Sequence, residues 1–91
     1  MLQMNKMLQK IKKTFEDYKN IEIEHSSIDD SILITKHMDQ DNYIMLVYPD
    51  KKTYRVCARL QKADGQFVRL GATKVCKMQM SVTKHIKNVL A

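Results

Sequence analysis

Residues 54–70 read YRVCARLQKADGQFVRL, and the fold turns on how this stretch is read. Tyr54, Val56, Ala58 and Leu60 alternate with Arg55, Cys57, Arg59 and Gln61. That two-residue period sends successive side chains to opposite faces of a strand. Beyond Asp64-Gly65, Val68 and Leu70 alternate with Phe67, Arg69 and Gly71. Asp-Gly between alternating runs is a turn signal, so the stretch is predicted to be a hairpin. All three arginines of the chain lie in it. The periodicity sets Arg55, Arg59 and Arg69 on one face, with Phe67 beside them.

On the N-terminal side, YIMLVY (43–48) leans towards strand and is stopped by Pro49-Asp50. Before it, MDQDN (38–42) is a turn and SILITKH (31–37) a strand, with Ile32 and Ile34 on one face and Leu33, Thr35 and His37 on the other. NIEIEHSSIDD (20–30) reads as a short alternating piece followed by a polar linker. At the start, Leu2, Met4, Met7, Leu8, Ile11, Phe15 and Tyr18 keep one stripe apolar at helical spacing. On the C-terminal side, a helix is expected from about Thr73 to Leu90, with Val75, Met78, Val82, Ile86 and Val89 as its stripe. Thr73 would cap its start, and Lys84 and Lys87 suit its end.

These segments predict an α+β fold of helix, antiparallel three- to four-stranded sheet and helix, as a single domain over residues 1–91. Two amphipathic helices must bury their stripes against one sheet face. The other face is left open, and the three arginines make it basic.

Composition narrows the class. The chain has 91 residues, 44% hydrophobic and 29% charged, with one proline and two glycines, as in an ordinary globular protein. No apolar run reaches the roughly 18 residues of a membrane span, and the N-terminus does not read as a signal peptide. Cys57 and Cys76 are the only cysteines; as two reduced thiols they fit an intracellular, cytoplasmic setting. The net charge of +6 is unevenly spread: residues 1–50 hold six lysines and nine acidic side chains, whereas residues 51–91 hold ten basic side chains and one acidic. A segment so basic is a footprint for a polyanion, most often nucleic acid; a solvated basic surface is the plain alternative. Arginine suits phosphate because its planar fork donates two parallel hydrogen bonds. The candidate RNA-contacting residues are Arg55, Arg59, Arg69 and Phe67, with Lys36, His37, Lys51, Lys52, Lys62 and Lys74.

Three segments carry a family resemblance. DSILITKH (30–37) is similar to the first strand of the Alu-domain subunits of the signal recognition particle. YRVCAR followed by ADG resembles their second strand and its turn, and TKVCKMQMSVTKHIKNVL (73–90) their last helix. The likeness is closer to the fourteen-kilodalton subunit than to the nine-kilodalton one. It covers about half the chain. Departures are a longer Asn20–Asp30 link, a shorter hairpin turn with Gln66-Phe67 in place of a lysine cluster, and no basic tail before Ala91. The resemblance implies a subunit that pairs with a sister subunit or with itself and grips structured, Alu-type RNA on a joined sheet surface. It also implies slowing of translation, meeting the ribosome only indirectly. This would be a binding protein without catalysis or membrane insertion.

Other classes stay open. A small basic RNA endonuclease of the toxin type needs a general acid or base near the arginines; His37 is the best candidate, ahead of His25 and His85. A protein-binding adaptor or inhibitor could use the open sheet or its edge. A double-stranded-RNA-binding domain shares the helix, three strands and helix order. No cofactor or metal is expected, because three scattered histidines and two distant cysteines match no zinc spacing and no glycine-rich phosphate loop is present.

Overall fold

The computed structural model describes residues 4–90. Two helices flank an antiparallel sheet: α1 (Met4–Thr14), β1 (Ile21–His25), β2 (Ile32–His37), β3 (Asn42–Asp50), β4 (Thr53–Gln61), β5 (Phe67–Arg69), β6 (Lys74–Cys76) and α2 (Gln79–Leu90). The strands run in sequence order from β1 to β5, and β6 returns to pair with the other end of β4. The fold is therefore α+β with an open sheet, but it has six strands rather than three or four.

Two segments account for the difference. IEIEH, an alternating piece in the sequence, pairs along its whole length with β2, from Ile21 opposite Lys36 to His25 opposite Ile32. Lys74–Cys76, expected as the first turn of the last helix, is a strand whose Val75 lies opposite Arg55. The apolar spacing of Val75, Met78 and Val82 fits a helix equally well, but β4 offers a free row of backbone donors and acceptors just where this segment passes. The helix consequently starts at Gln79. Its stripe is Val82, Ile86 and Leu90, while Val75 and Met78 are 48% and 61% exposed. Thr73 caps no helix; its hydroxyl accepts from Arg69 Nη2 at 2.8 Å and lies 3.2 Å from Cys57 Sγ.

YIMLVY is an interior strand, flanked by β2 and β4. Pro49 does not stop it: β3 continues to Asp50, with Pro49 opposite Tyr54. The chain then reverses through Lys51-Lys52, with Lys51 at φ 58°. The turn at the other end of β4 is wider. Gly65 N donates to Lys62 O and Lys62 N to Gln66 O, and Gly65 at φ 90° completes a three-residue connection with a glycine bulge.

One buried cluster unites the elements. Met4, Met7, Leu8 and Ile11 of α1, followed by Phe15, meet Val82, Ile86 and Leu90 of α2 and the sheet residues Ile32, Ile34, Met45, Val47, Tyr54, Val56 and Cys76. Register explains the sheet set: Ile32, Val47, Val56 and Lys74 stand opposite one another across four strands, and so do Ile34, Met45 and Ala58 across three. Leu2 of the expected first stripe lies outside the described residues; Tyr18, at 36% exposure, packs edge-on against Phe15 with ring centroids 5.0 Å apart. Among the described residues no helix is long and apolar enough to cross a membrane.

Between β5 and β6 the chain makes an excursion. Leu70 N still donates to Ala58 O, and Lys74 is already opposite Val56, so residues 71–73 face Cys57 alone. Inserting two extra residues keeps the alternation in phase across the break. Gly71 takes φ 75° there, and a Cβ at this position would meet nothing within 4 Å. The cost of a side chain is thus backbone strain without a clash. Gly71→Ala is expected to lower stability by about 1–2 kcal/mol, read as a fall in the denaturation midpoint with the denaturant slope unchanged.

Candidate functional site

The alternate side chains of the sheet point away from the buried cluster and form a second face. Register orders them in rows. One row runs Glu22, Thr35, Ile44, Arg59, Arg69 across β1 to β5. On one side of it lie Glu24, Leu33, Leu46 and Cys57; on the other, His37, Asn42, Gln61 and Phe67. Tyr48, Arg55 and Val75 form a further row. The face therefore changes character across the strands: carboxylates at β1, apolar groups over β2 to β4, guanidiniums over β4 and β5.

Arg59 and Arg69 are direct cross-strand partners. Leu70 N donates to Ala58 O and Lys62 N to Gln66 O, so alternation makes Arg59–Arg69 a pair without such bonds, the kind whose side chains approach most closely. Two guanidiniums thus stem from Cβ atoms about 5 Å apart. Neither is paired with a carboxylate among the described residues, where the ion pairs are His25–Asp30, His37–Glu22 and Arg55–Asp50. Arg55 differs: its Nε donates to Asp50 Oδ2 at 2.6 Å, a half-exposed pair worth at most about 1 kcal/mol but enough to offset its charge locally.

A hollow of about 250 Å³ opens beside the arginine pair, lined by Leu33, Ile44, Leu46, Cys57, Arg59 and Phe67. Phe67 is 55% exposed at its rim. Burial, and after it hydrogen bonding with Cys57, raises the Tyr48 hydroxyl above its ordinary pKa. The hollow was missed in the sequence, although YIMLVY carries its signal: a strand that is apolar at every position has apolar groups on both faces.

The other candidate residues are distributed differently. His37 lies on the second face, its ring between Glu22 Oε1 and Asn42 Oδ1, each at 3.2 Å. It is two strands from Arg59, about 10 Å at the usual strand spacing, so the general-base candidate and the arginine pair are not brought together. Lys51 and Lys52 form the tip of the β3–β4 turn, close to Asp50 and Arg55. Lys62 begins the β4–β5 turn and is exposed. Lys36 and Lys74 belong to the rows of the buried face, opposite Tyr43 and Val56. Lys36 Nζ donates to Leu90 O at 2.6 Å, closing the C-terminal end of α2, where a cation is favoured. Glu22 and Glu24, the acidic flank of the face, were not among the residues singled out from sequence.

A second concentration of lysines lies on the helices, where Lys10, Lys84 and Lys87 surround an open groove with Met78 and Met80. Beside it, burial first and Lys74 second hold the His85 imidazole below its ordinary pKa, so it is neutral at pH 7 and adds no charge. Among the described residues no three His, Cys, Asp or Glu side chains converge as metal ligands would. Comparison with protein-family models, with curated proteins and with solved structures finds no match.

Two expectations follow from these electrostatics. Arg59→Glu replaces a like-charge cross-strand pair with an opposite one, and should raise stability by about 0.5–1 kcal/mol at low salt, an increase in melting temperature that fades as salt is added. His85 has its folded pKa depressed, so its contribution is complete above the ordinary histidine range and is lost as pH falls into and below it. Melting temperature should therefore drop less between pH 7 and 5 in His85→Gln than in the native chain.

Proposed function

We propose that this protein is an RNA-binding subunit of a ribonucleoprotein, and that it binds RNA on the sheet face turned away from the helices. The observation that carries the reading is the Arg59–Arg69 pair. Adjacent like charges destabilise a sheet, and a phosphate bound between them would convert that repulsion into two charge-assisted hydrogen-bond forks. Phe67 beside the pair offers a stacking surface. Arg55, Lys51, Lys52 and Lys62 extend the positive field along β4 and its two turns, while Glu22 and Glu24 confine the RNA to the β4–β5 half.

The resemblance to the Alu-domain subunits of the signal recognition particle supports RNA as the polyanion. Its strand segments, DSILITKH and YRVCAR, fall on β2 and β4. Its helical segment begins on a strand here, and the sheet has strands beyond the family's three, so the proposal is RNA binding first and the particular particle second. The protein acts without catalysis in this reading, and it joins a sister subunit or a second copy. An adaptor role accounts for the apolar hollow but leaves the arginine pair without a purpose.

Contacts of this kind are chiefly to phosphate, so affinity should fall steeply with salt. Replacing Arg55, Arg59 and Arg69 together by alanine should abolish binding of structured RNA at physiological salt and leave the melting temperature within a few degrees of native. In low salt, where residual binding is measurable, the slope of log affinity against log salt should shrink by about two. Undiminished RNA affinity in the triple variant overturns the assignment of this face.

A further inference from the structure

The hollow beside the arginine pair says which kind of RNA would be held. We propose that the site takes an unpaired nucleotide, its base lodged among Leu33, Ile44, Leu46 and Cys57 and its flanking phosphates on Arg59 and Arg69; this rests on the RNA reading above. Phosphate recognition alone needs no cavity, and a duplex has nothing to put in one. Its bases are stacked inside, and it offers a protein phosphates, hydroxyls and groove edges. A loop, bulge or single strand can splay a base outward onto apolar and aromatic side chains.

Size and placement both favour one base. At about 250 Å³ the hollow falls below the roughly 300–1,000 Å³ of sites that enclose a whole small ligand. It suits a single planar group attached to something larger. Its floor is built rather than incidental: Leu33, Leu46 and Cys57 are in-register partners on three adjacent strands, and Ile44 is the partner of Arg59. The side chain of Arg59 is part of the wall, so a cation is carried at the border of the hollow, within reach of the phosphates flanking a lodged base. Phe67 stands at the rim, where a neighbouring base could stack. Glu24 closes the row on the β1 side, opposite Leu33, and repels phosphate there, so the backbone must pass on the β4–β5 side. Because the lining is almost wholly apolar, the site reads the presence of a free base more than its identity.

Fluorescence anisotropy on synthetic RNAs tests this with the full chain. The probes are a hairpin with a six-nucleotide loop, the same stem as a blunt duplex, a single-stranded oligouridine, and a set of the hairpins with an abasic site at each loop position in turn. The native protein should bind hairpin and oligouridine at least about tenfold more tightly than duplex, with one loop position losing that advantage when abasic. Cys57→Leu, which fills the hollow, should bind hairpin only as tightly as duplex while keeping duplex affinity. Leu33→Phe fills it from β2 and serves the same purpose if Cys57→Leu melts early. Arg59→Ala with Arg69→Ala should weaken all probes together. Equal native affinity for duplex and hairpin, or filled variants that keep the native preference, overturns the inference and leaves the RNA reading standing. No binding to any probe overturns both.

Discussion

The burial of Tyr54 and Val56 under the two helices is the constraint from which the rest of the sheet follows. These two side chains are 4% and 1% exposed, and a slip of one residue would move them into water while pulling Arg55 and Cys57 into the core. Desolvating an arginine without a partner costs several kcal/mol, so the register is fixed from both sides. Since β4 pairs with β3, β5 and β6, fixing β4 fixes its neighbours as well. The exposure of Arg59 and Arg69 on the same face is in this sense a by-product of hydrophobic burial on the opposite one.

Much of this was legible in residues. The Met4–Ile11 stripe has helical spacing, and its four apolar members are buried. The Tyr54–Leu70 hairpin was marked by its period and by Asp64-Gly65, and the three arginines do share one side of the register. What escaped the sequence was settled by partners distant in the chain. Val75 and Met78 have the spacing of a helix, and only the unpaired flank of β4 makes a strand of Lys74–Cys76. Pro49 reads as a terminator until its place near the end of β3, opposite Tyr54, is known. Lys36 reads as a cation on a surface strand, whereas Leu90 O, at a sequence distance of 54, takes its ammonium. The hollow is the clearest case: its walls come from β2, β3, β4 and β5, and no local pattern places Leu33, Leu46 and Cys57 side by side.

Charge on this molecule is organised by sheet position rather than by chain half. The excess of basic residues after Asp50 divides between the β4–β5 side of one face and the helix side of the other, where Lys84 and Lys87 gather with Lys10 of the first half. The acidic first half supplies Glu22 and Glu24 to the second face. It also supplies the β1–β2 loop, where Asp29 accepts from Ser31 Oγ and Ser31 N, and these hydrogen bonds hold its carboxyl below the ordinary range. A polyanion approaching the sheet therefore meets a gradient that orients it across the strands as well as attracting it.

The excursion at residues 71–73 also bears on how the sheet ends. An uninterrupted outer strand offers its backbone as a template on which another chain can add, and repetition of that event is the route to fibres. Here the far border is cut into two three-residue strands that present no continuous ladder for docking. The opposite border, β1, is continuous, but it alternates isoleucine with glutamate. Antiparallel addition of a second β1 would bring carboxylates towards carboxylates, which is unfavourable. Geometry ends the sheet on one side and charge ends it on the other, so neither border invites the strand-by-strand growth that a chain rich in β-forming residues would otherwise risk.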